Sequence, residues 1–286
     1  FFFFKQKTAY EIPKRDWSSD VCSSDLMEVV PLDSVEEVAA LGADVVEAAV
    51  RPGGAVLGLA TGSTPLPMYR ELVRRHSAGL GPSYDGVRCF TLDEYVGLPP
   101  GHPESYRATI ARELTDLLGI PADRVQGPSP EPEGLPGAGE RYEEALVAAG
   151  GIDVQVLGIG SDGHLAFNEP GSSLASLTRL KTLTEETRRD NARFFGSIDE
   201  VPRHVLTQGL GTILRARHLL LLATGAGKAA ALAAAVEGPV SASCPASVLQ
   251  LHPHVTVLCD EAAGAGLARL AHYREVYDAK PAWQRL

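Results

Sequence analysis

At 286 residues, with 44% hydrophobic and 22% charged side chains, the chain has an ordinary globular composition and could form one large α/β domain or two small ones. A formal net charge of -10 argues against wholesale attraction to nucleic acid or an anionic membrane, although an anionic ligand could still be held in a local basic pocket. No apolar run approaches the roughly 20 residues that a bilayer crossing needs, so a cytoplasmic protein without membrane or nucleic-acid partners is expected.

Residues 1–26 stand apart from the rest. Phe1 to Phe4 followed by charged and serine-rich sequence to Leu26 has neither the pattern of a signal peptide nor an amphipathic period. The segment is similar to translated sequencing-adapter DNA and is expected to be an unstructured, non-native extension. Met27 then becomes the start, and residues 27–286 one domain.

From there the pattern alternates strand and helix. Val29 to Leu32 is a short apolar strand, and Ser34-x-x-Glu37 fits a capping box that opens a helix with Val35, Val38, Ala39, Val45, Val46 and Ala49 as its apolar stripe. Ala55 to Ala60 is a second strand, closed by Thr61-Gly62-Ser63-Thr64-Pro65, and Leu66 to His76 reads as a helix with proline in its first turn. Further strands are expected at Val87 to Leu92, Val154 to Ile159, His218 to Ala223 and Val255 to Leu258. Helices are expected at Tyr106 to Leu118, Glu140 to Ala149, Lys228 to Val236 and Ala262 to Tyr277. Continuous rather than alternating apolar strands predict a single α/β domain built on a mostly parallel, Rossmann-like sheet with helices on both faces. Gly127 to Gly139, rich in proline and glycine, is expected to be a surface loop rather than a domain linker.

Cys22, Cys89, Cys244 and Cys259 are widely spaced, without a CxxC pair or a zinc-like Cys/His pattern, so neither a metal site nor a disulfide is expected.

In a doubly wound sheet, ligands bind outside the carboxyl ends of the strands, and four loops there carry unusual chemistry. The Thr61 to Pro65 loop sets hydroxyls before a helix N-terminus, where backbone N–H groups and the helix dipole favour an anion; a tight turn with a hydroxyl cap explains it equally well. Gly225-Ala226-Gly227-Lys228 repeats the arrangement and puts a cation at a helix start, where the dipole disfavours it unless an anion joins it; a solvated lysine at a frayed helix end is the bland alternative. It is not a Walker A loop, because GxxxxGK[ST] is absent.

Gly158 to Gly163 formally matches GxGxxG after a strand, but His164-Leu165-Ala166-Phe167-Asn168-Glu169-Pro170 follows where a dinucleotide fold needs an uninterrupted helix. What remains is Asp162, His164 and Glu169 within eight residues, a grouping that can orient and tune one imidazole for proton transfer. Asp93 and Glu94 close the Val87 strand, where a sheltered carboxylate can remove a proton from carbon; a helix cap or surface turn is the bland alternative.

The strings GLATGSTP, FTLDEYVGLP, HPESY, LGIGSDGHLAFNEPGSSLASLTRLKTLT, NARFF, VPRHVLTQGLGTIL, GAGKAAALAAAVEG and VLQLHP, in this order, resemble the glucosamine-6-phosphate deaminase family from Met27 to about Tyr277. The resemblance implies conversion of glucosamine 6-phosphate and water to fructose 6-phosphate and ammonia, without a cofactor. It makes His164 the group that opens the sugar ring, with Asp162 and Glu169 holding it, and Asp93 the base that moves a proton between C2 and C1. Gly62, Ser63, Thr64, Arg193 and Lys228 would hold the phosphate. A homo-oligomer is implied, with Ser172, Ser173, Arg179 and Lys181 matching residues that bind N-acetylglucosamine 6-phosphate as an effector. That effector site also uses the chain's terminal amine and a tyrosine near the C-terminus. Here Tyr273 and Tyr277 fit the tyrosine imperfectly and an extension before Met27 would remove the amine, so allostery stays open. The phosphate loop reads TGSTP where many members have TGGTP, a change that adds a hydroxyl.

Two rival readings are weaker. A 6-phosphogluconolactonase shares the phosphate loop but needs no carbon base at Asp93. A sugar-phosphate sensor attached to a DNA-binding module would call for a helix-turn-helix or basic patch, and none precedes Met27.

Overall fold

In the computed structural model, which describes residues 27–129, 134–281, 284 and 286, seven strands form one parallel sheet. They are β1 (Glu28–Leu32), β2 (Val56–Leu59), β3 (Arg88–Thr91), β5 (Val125–Gln126), β6 (Val154–Gly158), β9 (His218–Ala223) and β10 (Val255–Asp260). Their order across the sheet is β1-β10-β9-β6-β2-β3-β5, and every neighbouring pair is parallel. All residues of β2, β9 and β10 are buried, which requires cover on both faces. Leu219 to Leu222 sit at the centre of the core with no exposed surface. Burial of each such leucine contributes roughly 1.5–3 kcal/mol.

The helices are α1 (Val35–Val50), α2 (Leu66–Ser77), α3 (Tyr106–Ile110), α4 (Ala138–Ala148), α5 (Glu185–Asn191), α6 (Leu210–Ile213), α7 (Ala229–Glu237), α8 (Glu261–Gly264) and α9 (Leu270–Asp278). At the start of α1, Ser34 Oγ accepts from the Glu37 amide as expected, but the returning Glu37 carboxylate takes the N–H of Asp33 rather than that of Ser34.

Three expectations need correction. A second, antiparallel sheet, not anticipated, joins β4 (Asp93–Val96), β8 (His204–Thr207) and β7 (Arg179–Thr182) in the order β4-β8-β7. The helix expected over Tyr106 to Leu118 keeps its start at Tyr106 but widens into a π-type turn over Ala111–Thr115, with the Asp116 amide reaching the Ala111 carbonyl. The helix expected over Ala262 to Tyr277 is split into α8 and α9. Between them Gly266 passes so close to the start of α7 that a Cβ would stand 2.6 Å from the Ala229 carbonyl oxygen, and tertiary contact there outweighs helical periodicity.

Residues 1–26, with Cys22, and residues 130–133 of the expected Gly127 to Gly139 loop lie outside the described residues; α4 already begins at Ala138. Cys89 and Cys259 are buried and unbridged. Among the described residues no helix is long and apolar enough to cross a membrane.

Candidate active site

The sheet order has one reversal. From β2 the chain proceeds outward to β3 and β5, then returns to β6 on the other side of β2 and proceeds to β9 and β10. Neighbouring strands β2 and β6 therefore send their connections in opposite directions, which opens a crevice at their carboxyl ends. The loops that enter it are Thr61 to Pro65 after β2 and Ile159 to Pro170 after β6. Those after β3 and β9, carrying Asp93 and Lys228, flank them on the adjoining strands.

In the β6 loop, Nδ1 of His164 lies 2.6 Å from Oδ1 of Asp162, which also accepts the His164 backbone N–H at 3.1 Å. Both side chains are partly open to solvent. The hydrogen bond from His164 is the main cause that lowers the Asp162 carboxyl to about 2. A carboxylate on Nδ1 leaves Nε2 as the nitrogen able to take a proton from a ligand. Gly160 is required beneath this ring: a Cβ there would meet His164 Nδ1 at 2.2 Å. The loop turns back at Ala166, which holds φ at 51°, a strained value for a residue other than glycine.

Glu169 is placed otherwise than its spacing suggested. Its carboxylate accepts from the hydroxyls of Thr184 and Thr187 at 3.1 and 2.5 Å, and Lys181 Nζ stands 3.9 Å away. No hydrogen bond or ion pair joins it to His164 among the described residues. Lys181 Nζ also donates to Ser172 Oγ at 3.4 Å, so Glu169, Lys181 and Ser172 form one chain of contacts. Ser173 caps its own turn by accepting from the Ala175 amide, and Arg179 donates to the Leu177 carbonyl. Met27, Tyr273 and Tyr277 instead line a cavity of about 730 Å³ beside α9, which none of Ser172, Ser173, Arg179 and Lys181 lines.

The paired carboxylates after β3 have different duties. Glu94 is buried and accepts the backbone N–H groups of Tyr95, Tyr106 and Arg107 at 2.9–3.0 Å, which ties the first turn of α3 to β4. Burial raises its carboxyl while these bonds pull it back. Asp93 is buried too, facing Thr207 across the small sheet. Burial, then the charge of Glu94, pushes its carboxyl well above the ordinary aspartate value. The rings of Tyr95, Tyr106 and Phe167 pack together and join the Asp93 strand to the His164 loop.

Around the expected phosphate residues, Gly62 has φ 103°, Ser63 is exposed, and α2 starts without a side-chain cap, so its first N–H groups stay available. Gly225 donates its N–H to the Asp260 carboxylate at 2.9–3.0 Å, which fixes the turn that puts Lys228 at the start of α7. Arg193 is exposed in a short 3₁₀ turn after α5, its guanidinium 4.7 Å from the Phe194 ring centre. Among the described residues no group of three or more His, Cys, Asp or Glu side chains could hold a metal ion. Sequence reasoning missed Tyr142, Asn168, Thr184, Thr187 and Gln208; of these Gln208, a polar residue inside the otherwise apolar VLTQGLGTIL, carried a readable signal.

Residues 32–258 match the model of a family described as glucosamine-6-phosphate isomerases and 6-phosphogluconolactonases. The chain is 59% identical over 261 residues to the glucosamine-6-phosphate deaminase of Arthrobacter sp. (strain FB24), a match covering 91% of this chain and 100% of that protein. It is 57% identical over 258 residues to the corresponding deaminase of Rhodococcus jostii (strain RHA1), covering 90% and 99%. Among solved structures, a monomeric glucosamine-6-phosphate deaminase superposes with a TM-score of 0.81 at 39% identity, covering 84% of this chain and 100% of that one. The 6-phosphogluconolactonase of Trypanosoma brucei superposes at 0.67 with 23% identity, covering 85% and 99%, a likeness of fold alone.

Proposed function

The chain belongs to the family of glucosamine-6-phosphate isomerases and 6-phosphogluconolactonases, and from that membership and the site we infer that it converts glucosamine 6-phosphate and water to fructose 6-phosphate and ammonia. The observation that carries the reading is 59% identity across the whole length of a deaminase. The buried Asp93 supports it, because an isomerisation needs a base able to act on carbon and lactone hydrolysis does not.

In this mechanism the sugar phosphate is anchored by Gly62, Ser63, Thr64, Arg193 and Lys228, whose N–H groups, hydroxyls and cations suit a dianion. His164 takes the proton of the anomeric hydroxyl at Nε2 and returns one to the ring oxygen, which opens the ring. Asp162 holds the imidazole by Nδ1 and stabilises its charged form, while Glu169 completes the acidic surroundings of the loop. Asp93 then removes the C2 proton to give an enolamine and delivers a proton to C1. Water adds to the resulting C2 iminium, and ammonia leaves as the ketone forms. The test is product identification: fructose 6-phosphate and ammonia should appear in equal amounts from glucosamine 6-phosphate.

An effector reading accompanies this one. Ser172, Ser173, Arg179 and Lys181 take N-acetylglucosamine 6-phosphate, and Lys181 transmits its binding, since the amine already touches Ser172 and approaches Glu169. A homo-oligomer fits the same region, where Leu177, just before β7, and Leu180, within it, remain 43% and 47% exposed. Substrate titrations with and without the effector, together with light-scattering mass, decide between this arrangement and a monomer insensitive to it.

A further inference from the structure

We propose that Gln208 and Tyr142 are positioning residues for Asp93, locking the strand end that carries it to the loop that carries His164. The proposal rests on the deaminase reading, in which both groups act on one substrate.

The connection is a run of buried hydrogen bonds. Tyr142 Oη donates to the Thr91 carbonyl at 2.6 Å and accepts from Gln208 Nε2 at 3.3 Å. The Gln208 backbone N–H donates to the Leu92 carbonyl at 2.8 Å. Thr91 Oγ1 donates to the Asp93 carbonyl at 3.2 Å, so all three carbonyls from Thr91 to Asp93 are restrained. On the other side the Gln208 carbonyl accepts from Asn168 Nδ2 at 2.8 Å, and the same amide donates to Leu165 at 3.0 Å. Thr207 Oγ1, which donates to the Gln208 carbonyl at 3.2 Å, also accepts the Phe167 N–H at 3.3 Å. Residues 165–168 lie between His164 and Glu169, so the two proton-transfer elements are joined without either catalytic side chain being used as the tie.

Thr91, Asn168, Thr207 and Gln208 have no exposed surface and Tyr142 has 4%. The side-chain carbonyl oxygens of Gln208 and Asn168 have no hydrogen-bond partner among the described residues. A buried oxygen left so costs stability, which an apolar side chain of similar size would not. The amides are therefore poor choices for stability and good ones for position: Asn168 Nδ2 holds the backbone carbonyls of Leu165 and Gln208, and Gln208 Nε2 holds the Tyr142 hydroxyl that in turn holds the Thr91 carbonyl. Burial above all raises the Tyr142 hydroxyl, with the charge of Asp93 a lesser cause, which places the two within electrostatic reach; Glu94, Tyr95 and Tyr106 are the other titratable groups that feel Asp93 or are felt by it.

The experiment compares Gln208→Leu and Tyr142→Phe with the unsubstituted chain, on glucosamine 6-phosphate carrying either hydrogen or deuterium at C2. Gln208→Leu is expected to keep its Tm, and Tyr142→Phe to melt lower because the buried Thr91 carbonyl loses its donor; both are expected to keep KM, to lose about 10-fold in kcat because a base displaced by a fraction of an ångström abstracts more slowly, and to show a larger deuterium effect on kcat. The double variant should fall no further than the worse single one, since both break the same tie. A deuterium effect is independent of the active fraction, so an effect equal to that of the unsubstituted chain overturns the proposal whatever the kcat. Should Gln208→Leu fail to fold, Tyr142→Phe decides alone. An unsubstituted chain that releases no ammonia would instead overturn the deaminase reading.

Discussion

Asp162 and His164 meet through a 2.6 Å contact between Oδ1 and Nδ1, two residues apart on one loop. That contact selects the tautomer: Nδ1 carries the proton and Nε2 the lone pair. Replacing Asp162 by Asn should therefore leave the fold intact but misassign the ring, with kcat expected to fall roughly 10²–10⁴-fold. Because the pair is half exposed, Tm near neutrality should hardly move. The lowered Asp162 carboxyl contributes a stability, small because the pair is half exposed, that is full above the ordinary carboxylate range and is lost as pH falls from that range through about 2. Near-normal kcat in Asp162→Asn would remove the pair from the mechanism.

Asp93 gives the opposite sign. Its carboxyl is raised by burial, so the folded chain binds the proton more tightly than the unfolded one, and stability declines as pH climbs from the ordinary carboxylate range through the folded value. Asp93→Asn should lower kcat roughly 10²–10⁴-fold while matching or exceeding the parent Tm at pH about 8, with the difference shrinking in acid. A variant less stable than the parent at all pH values would show that the carboxylate is structural.

Lys228 and Arg193 are assigned to phosphate and not to chemistry. Changing either to alanine should raise KM for glucosamine 6-phosphate with little change in kcat, provided that the contact is equal in ground and transition states. Turnover of unphosphorylated glucosamine should be unaffected. Equal relative losses on both sugars would contradict the assignment.

Six strands of the parallel sheet were legible because each is buried on both faces and so reads as a continuous apolar run. Two-residue β5 carries too little pattern to be read. The β4-β8-β7 sheet was hidden because β4 buries Asp93 and Glu94 while β7 alternates between exposed and partly buried residues, and neither matches an apolar strand. Within the site, Asp162 and His164 could be paired from sequence because their contact is local. The partners of Glu169, by contrast, are hydroxyls 15 and 18 residues downstream, brought near by the return of the chain through β7. Gln208 and Tyr142 are 66 residues apart, and nothing local marks their contact.

On this reading the site deaminates an amino sugar phosphate instead of hydrolysing a lactone, the other activity named for the family. The direct measurement gives the purified chain glucosamine 6-phosphate and 6-phosphogluconolactone side by side, following ammonia from the first and acid release from the second. Ammonia release that depends on Asp93, with lactone hydrolysis no faster than in buffer, is the predicted result. Enzymatic lactone hydrolysis without ammonia from the amino sugar would contradict it.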